Sequence, residues 1–488
     1  MRRTLLVIFS LALAGFLVFL PTPEGLSPQG HALLAVTAGM LVLWVFQAVD
    51  FSASAFYLFG MVALACGLSE DPAAPGRALG AVKGVRLAMQ GFAAPAWILV
   101  ASALFIAAAV DSSGLGRRLS LRLLAAAGTE PRRIVLASLI LPLLLSLIIP
   151  SPAANTGLCT ILLLSVISML GIAKHTNLAK SMFLAAAFGP SFSAIMVLTA
   201  GGGPVQIVSF IHQGTGHDIS WLEFALYGAP LALGLSAIFY VLLGWLFPLD
   251  KEAIPQAKEL LRKAMDACGP LGRQEKAISV ILALTIPLWA TAKVLHPVDT
   301  ATIAIFAVAA IFCPGVLGRG YAPSWRELCD KVSWGTLMLF GSVLSLGQGL
   351  LDSGGAAWCA RETLVRMGLA DVPLLGMIML GGAIFALFGL AFSARAAAIG
   401  ALTPTIIGFA LSLPAEQQVP AWGLTLVMNY AVQFTILFPA NSPMIMLTIS
   451  TETFTAREMM RLGLFVSLSG FLLLLLLSCT WWPWLGVL

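Results

Sequence analysis

An all-α polytopic membrane fold, with about eleven transmembrane helices and two re-entrant hairpins in an inverted repeat, is predicted by three observations. The chain of 488 residues is 59% hydrophobic and 10% charged, and its mean hydropathy is +0.96, so water is not its main solvent. Uncharged apolar runs of about 17 to 25 residues, enough to cross a bilayer's hydrocarbon core, recur almost end to end. Two apolar segments about twice as long are broken centrally by polar residues, and similar breaks follow in the same order in each half.

Run 4–20 follows Arg2 and Arg3 and looks like a signal peptide, but no A-x-A site lies between that run and the next span, so a retained first helix is expected. Spans at 31–47 and 51–68 complete an N-terminal scaffold unit, 1–94. A first repeat, 95–248, holds spans 95–110, 179–199 and 221–247 and the long segment 133–172, which is interrupted by Pro150, Ser151, Pro152 and Asn155. The connector 249–276, with Lys258, Glu259, Arg262 and Lys263, reads as a solvated or interfacial helix. Spans 277–295 and 300–317 lie in a second scaffold unit, 277–333. The second repeat, 334–488, holds spans 334–351, 419–438 and 460–482 and the long segment 374–412, interrupted by Ser393 and Arg395.

Each interrupted segment reads as a helix, a polar tip and a returning helix, because non-helical backbone survives at membrane depth only where protein or a water-filled cavity satisfies its amides. Two ordinary spans joined by a short polar loop is the other reading. The repeat rests on ordered polar breaks: Asp111-Ser112-Ser113-Gly114 is echoed by Asp352-Ser353-Gly354-Gly355, and Gly201-Gly202-Gly203-Pro204 by Ala440-Asn441-Ser442-Pro443. Ile219-Ser220-Trp221 and Phe454-Thr455-Ala456 then open the closing helices. Three spans plus a hairpin per unit is an odd count, which inverts the second copy.

The net charge of +5 comes from Lys and Arg in short loops, not interleaved with aromatics as on a nucleic-acid face. Arg117, Arg118, Arg122, Arg132 and Arg133, the loop 251–276, and Arg319, Arg326 and Lys331 fall on one side. The positive-inside rule then puts the N-terminus in the cytoplasm and the C-terminus in the periplasm, across the inner membrane. The seven cysteines form no CxxC pair and the five histidines are scattered near span ends, so no metal site, disulfide or proton relay is expected. No Walker run, HExxH or Gly-x-Ser-x-Gly sits in a matching context. The chain reads as a secondary transporter driven by a gradient, with no cofactor and no enzymatic centre.

At the first tip, Ala154-Asn155-Thr156-Gly157 puts an amide and a hydroxyl beside a half-helix N-terminus, whose free N–H groups and positive dipole suit a carboxylate. The glycines Gly201 to Gly203 can bring bare backbone close to an ion. With these residues the chain resembles the divalent anion/sodium symporter family, over about residues 25 to 488. Asn155 and Thr156 match two positions of the family's Ser-Asn-Thr tip motif, with Ala154 in place of Ser. The stretch Asn441-Ser442-Pro443 to Gly463 resembles its proline break and closing helix.

The resemblance implies a small divalent anion, such as a C4-dicarboxylate or a tricarboxylate, held at Asn155, Thr156, Ser393, Arg395, Asn441, Ser442 and Pro443. It implies Na⁺ as coupling ion near Ser151, Asn155, Gly201, Gly202, Gly203 and Pro204, and a second sodium near Ala394 and Ala440. It also implies a homodimer in lipid and alternating access by an elevator movement, by Na⁺-coupled symport or anion exchange. A sulfate, citrate, arsenite or Na⁺/H⁺ carrier of the wider superfamily is the other reading. The second tip, Phe392-Ser393-Ala394-Arg395-Ala396, departs from the motif, which puts its sodium site in doubt. A cation there costs about 3 kcal/mol or more unless it lines a cavity, meets an anion or snorkels to the interface. Arg395 is therefore expected to face substrate and to supply part of the charge that sodium supplies elsewhere, favouring exchange or weak sodium dependence.

Overall fold

A computed structural model describes residues 2–71, 73–149, 151–249, 257–313, 322–392, 395–414 and 419–488. Among them, eight helices are long and apolar enough to cross a membrane, and shorter apolar helices accompany them. Pro150, Ser393, Ala394, Arg319 and residues 314–317 of the expected span 300–317 lie outside the described residues.

Helices Arg2–Val18, Pro28–Val45 and Phe51–Leu68 open the chain. Their starts are fixed by short polar side chains. The Ser27 hydroxyl accepts from the Gly30 amide at 3.0 Å and the Asp50 carboxylate from the Ser52 amide at 2.8 Å, satisfying N–H groups that the first turn leaves without partners. A small antiparallel pair, Glu70–Asp71 with Ala74–Ala78, follows. The next span begins earlier than the apolar run 95–110 suggests. Ala81–Met89 and a 3₁₀ turn, Gln90–Phe92, lead into Pro95–Ser113, and the Gly91 amide donates to the buried Ser345 hydroxyl at 2.9 Å. Lys83 and Arg86 make the lead-in amphipathic, so hydropathy alone does not mark it.

Both long segments fold as two antiparallel arms around a non-helical tip. The first is Pro131–Leu145 and Pro152–Met169, the second Leu374–Gly389 and Arg395–Leu411. The spans after them are broken. Asn177–Met196 gives way through Leu198–Ala200 to Gly202–Thr215, and Ala421–Phe434 through Pro439–Asn441 to Pro443–Ile449. Each unit closes with a long helix, Trp221–Leu246 or Ala456–Cys479, and both start in a reciprocal capping box, Ser220 with Glu223 and Thr455 with Glu458.

Packing repeats as well. A Cβ on Gly228 would collide with the Ile195 carbonyl, and one on Gly463 with the Ile436 carbonyl, so each closing helix leans a glycine against the broken span of its own unit. The segment leading into each hairpin is bounded by glycines in the left-handed region, Gly114 (φ 77°) and Gly128 (φ 79°) in the first unit, Gly354 (φ 72°) and Gly368 (φ 77°) in the second. Between the first pair lies the helix Leu115–Ala127, 13 residues long. Between the second, Gly355–Ala360 runs into a π turn, Arg361–Val365.

Ion pairs and indole hydrogen bonds sort the helix ends onto two sides. Lys331–Asp111 (2.6 Å), Arg118–Glu275 (2.8 Å) and Lys180–Glu458 (2.6 Å) join ends on one side. Trp358 to the Glu24 carbonyl, Trp481 to that of Leu226 and Lys293 to Asp218 join ends on the other. The first hairpin's helices start and finish on the Lys331 side and the second's on the Trp358 side. Between the two sides, Trp334–Asp352 packs against Phe51–Leu68, Arg395–Leu411 and Gly202–Thr215 in a close-packed apolar core.

Candidate functional site

The two tips and the two broken spans meet in one cavity of about 290 Å³. The first hairpin contributes Ser151, Pro152 and Ala153, the first broken span Gly201 to Pro204, the second hairpin Arg395 and Ala396, and the second broken span Pro443 and Met444. Leu104, Leu339 and Phe340 form apolar wall. The exposed residues Ser52, Ser333 and Thr336 line one end, at helix starts near Lys331, so the cavity reaches toward the Lys331 side.

Because a broken helix restarts at each of these points, the cavity is faced by helix N-termini: Pro152–Met169, Gly202–Thr215 and Arg395–Leu411 all begin in its wall. Each brings free N–H groups and the positive end of its dipole. Ser151 caps the first, its hydroxyl accepting from the Ala154 amide at 3.3 Å. Gly201 is extended (φ 171°), a conformation open to any residue, so its glycine serves space and not the unusual dihedral expected for it: a Cβ would sit 2.9 Å from the Pro152 ring.

Arg395 is the charged residue among the described cavity lining. Its Nη1 donates to the Gln433 carbonyl, and among the described residues its buried Nε finds no hydrogen-bond partner and it forms no ion pair. The Gln433 side chain donates to the Ala194 carbonyl at 3.3 Å and so bridges the two broken spans beside the guanidinium.

Asn155 and Thr156 are fully buried behind the first tip, outside the cavity lining. Asn155 Nδ2 donates to the Pro142 carbonyl and the Ser146 hydroxyl, both at 2.9 Å, and its Oδ1 accepts from the Cys159 thiol at 3.4 Å. It holds the returning arm against the end of the first arm. Asn441 does matching work at the second tip from a different element: its Nδ2 donates to the carbonyls of Leu390 and Phe392, and its Oδ1 accepts from the Phe438 amide at 3.1 Å. The Thr156 and Ser442 hydroxyls are buried with no partner among the described residues. Ala440 is exposed, while Pro443 borders the cavity.

Ser191 and Gln433 also line the cavity and were not singled out by sequence. Ser191 is buried and its hydroxyl has no partner among the described residues. Each is a lone polar residue in an apolar run, and the signal that could have found them is their distance from the breaks at Gly201 and Asn441.

The sodium:sulfate symporter transmembrane region matches the chain over residues 2–488. A membrane protein of Cupriavidus necator is 32% identical, over 97% of this chain and 92% of its own. The chloroplastic dicarboxylate transporter 1 of Spinacia oleracea is 26% identical over 84% of this chain and 69% of its own. The sodium-dependent dicarboxylate transporter SdcS of Staphylococcus saprophyticus is 23% identical over 93% and 86%. In fold, the chain is similar to the Alcanivorax borkumensis YdaH transporter, with a TM-score of 0.58 at 15% identity over 91% of this chain and 99% of that one. Neisseria gonorrhoeae MtrF gives a TM-score of 0.57 at 14% identity, over 89% and 95%.

Proposed function

The chain belongs to the sodium:sulfate symporter family, as a multi-pass secondary transporter of divalent anions and not an enzyme, and from that premise we propose that its substrate is a C4-dicarboxylate or similar small di- or tricarboxylate bound in the cavity between the hairpin tips. The observation that carries this reading is electrostatic. Three helix N-termini and an unpaired guanidinium face one cavity, and no described carboxylate pairs with that guanidinium. A planar fork of donors suits a carboxylate, and helix N-termini suit a second one.

Arg395 and Pro443 touch the anion, with Thr156 and Ser442 close by. Asn155 and Asn441 act by holding the tips in place. Na⁺, where it is used, binds at the first tip among Ser151, Asn155 and Gly201 to Pro204, while the second tip, with Ala394, Arg395 and Ala440, is the weaker candidate. The relatives named as dicarboxylate transporters, one of them sodium-dependent, support both the substrate class and the ion. Alternating access is by an elevator movement of the two repeats, 95–248 and 334–488, against the scaffold units 1–94 and 277–333, with 249–276 as cytoplasmic connector. The carrier works as a homodimer in the inner membrane, its N-terminus cytoplasmic and its C-terminus periplasmic, and the cavity then opens inward.

The test is uptake into proteoliposomes of a labelled dicarboxylate panel, with and without Na⁺ and with and without internal anion. Saturable uptake of succinate or malate that unlabelled dicarboxylate competes away is the expected result. Uptake of sulfate, citrate or arsenite but no dicarboxylate would move the chain to another substrate class.

A further inference from the structure

We propose that the lead-in helix Ala81–Met89 holds the phosphate of an anionic phospholipid, of the phosphatidylglycerol type, at Arg86 and Lys83, in the leaflet on the Trp358 side. A pocket of about 230 Å³ lies there, apart from the cavity between the tips and lined by Gln29, Leu79, Lys83, Arg86, Leu87 and Gln90. Gln29 is two residues from Ser27, whose hydroxyl donates to the Ser353 carbonyl at 2.7 Å, and this fixes the pocket's side. The site is independent of which anion the carrier moves.

Ala81–Met89 runs back along the end of Phe51–Leu68: a Cβ on Gly84 would collide with the Ala63 carbonyl, and the Phe92 ring lies 6.4 Å from that of Phe59. Ala63 is about a turn and a half short of that helix's end, roughly 8 Å at about 1.5 Å per residue, and Arg86 stands about half a turn deeper than Gly84. Amphipathic helices meet the boundary between headgroups and acyl chains at about 5 to 10 Å of depth. Two stripes of helical spacing run along this helix. Val82, Val85 and Met89 are exposed and apolar, a face for acyl chains, and Lys83, Arg86 and Gln90 lie beside them along the pocket. Arg86 is exposed and makes no hydrogen bond or ion pair among the described residues, so at this depth it needs an anion or a route to water. Lys83 pairs with Asp71 at 2.6 Å and keeps further donors. Gln90 Oε1 is buried without a partner among the described residues, and a headgroup hydroxyl would supply the donor it lacks. Both cations stand on the side opposite the arginine-rich helix ends, so the role of Lys and Arg in setting orientation does not account for them. A free phosphate ion would meet the charges alone. A phospholipid meets both stripes, and its chains keep its phosphate at that depth.

The test uses the purified full chain in mild detergent, with phosphatidylglycerol, phosphatidylcholine or soluble glycerol phosphate added at equal concentration, and counts by native mass spectrometry what stays bound. The wild type is expected to keep phosphatidylglycerol at least about tenfold better than phosphatidylcholine, the ratio that about 1.4 kcal/mol separates, and to keep no glycerol phosphate. Arg86→Gln is expected to lose that preference and Arg86→Lys to keep part of it. Arg361→Gln, which removes an exposed charge on the same side but outside the pocket lining, is expected to keep all of it. Equal retention of the two lipids by the wild type overturns the site, as does an unchanged preference in Arg86→Gln or an equal loss in Arg361→Gln. Retention of glycerol phosphate in place of lipid makes this a site for free anions and overturns the lipid. A disulfide formed between two protomers of Val85→Cys in native membranes would show that a second copy of the chain covers the apolar stripe, and overturns it as well.

Discussion

Asn155 shows how far a single residue can be read. An amide in the middle of an apolar segment marks a special position, and the segment's length places it near a tip. The sequence does not say whether that amide looks into a cavity or back at its own hairpin, because the irregular tip breaks the helical period from which facing is deduced. In the structure it looks back, onto Pro142 and Ser146. Asn155→Ala should therefore lower stability, by about 1 to 3 kcal/mol for leaving buried partners unsatisfied, as well as transport. Thermal unfolding in detergent beside uptake measures both, and unchanged unfolding would show that the amide does not hold the arms. Thr156→Val tests the neighbouring hydroxyl. It makes no hydrogen bond to any described residue, so the variant should fold like the wild type and lose transport; normal uptake would take Thr156 out of the site. Arg395 was legible because charge in an apolar run has few explanations. Gln433 was not, since a lone amide without a motif has many.

Elements were legible where they carry chemical punctuation. The box Ser220 to Glu223 and its counterpart Thr455 to Glu458 announce the two closing helices. The lead-in Ala81–Met89 was hidden by its charges, and the short pair at 70–78 by its Pro and Gly content. Gly228 and Gly463 each press a closing helix onto a carbonyl of a broken span, Ile195 and Ile436. Gly228→Ala and Gly463→Ala should each cost about 1 to 3 kcal/mol, as overpacking in a filled core does, and should cost alike if the two units are copies. Unfolding midpoints of both variants check this, and a neutral result at either position would show that its helix can move away. Gly128→Ala and Gly368→Ala force a side chain into the left-handed region at the entrance to each hairpin. The strain of about 1 to 2 kcal/mol should appear in melting temperature and slow transport together. Slowed transport with an unshifted melting curve would mean that the glycines serve movement alone.

At the scale of the molecule, composition and run length were enough for the fold class, since they report the solvent. The proposed division into scaffold and repeats rests on the order of the breaks, while the lining of the cavity where both tips meet needed coordinates. The topology proposed above rests on charge: Arg117, Arg118, Arg122, Arg273, Lys276, Arg326 and Lys331 belong to helix ends on one side, the side that the positive-inside rule expects in the cytoplasm. A cysteine introduced at Leu260 should react with a membrane-impermeant maleimide in inverted vesicles and stay unreactive in intact cells; the opposite pattern reverses the orientation. The two segments between left-handed glycines have a mechanical consequence. They run between Gly114 and Gly128 on one side and between Gly354 and Gly368 on the other, and equal numbers of residues separate the glycines of each pair. If the repeats move against the scaffold units as proposed, two segments of equal residue count with a left-handed glycine at each end are placed to act as paired arms, one on each side, that guide the shift.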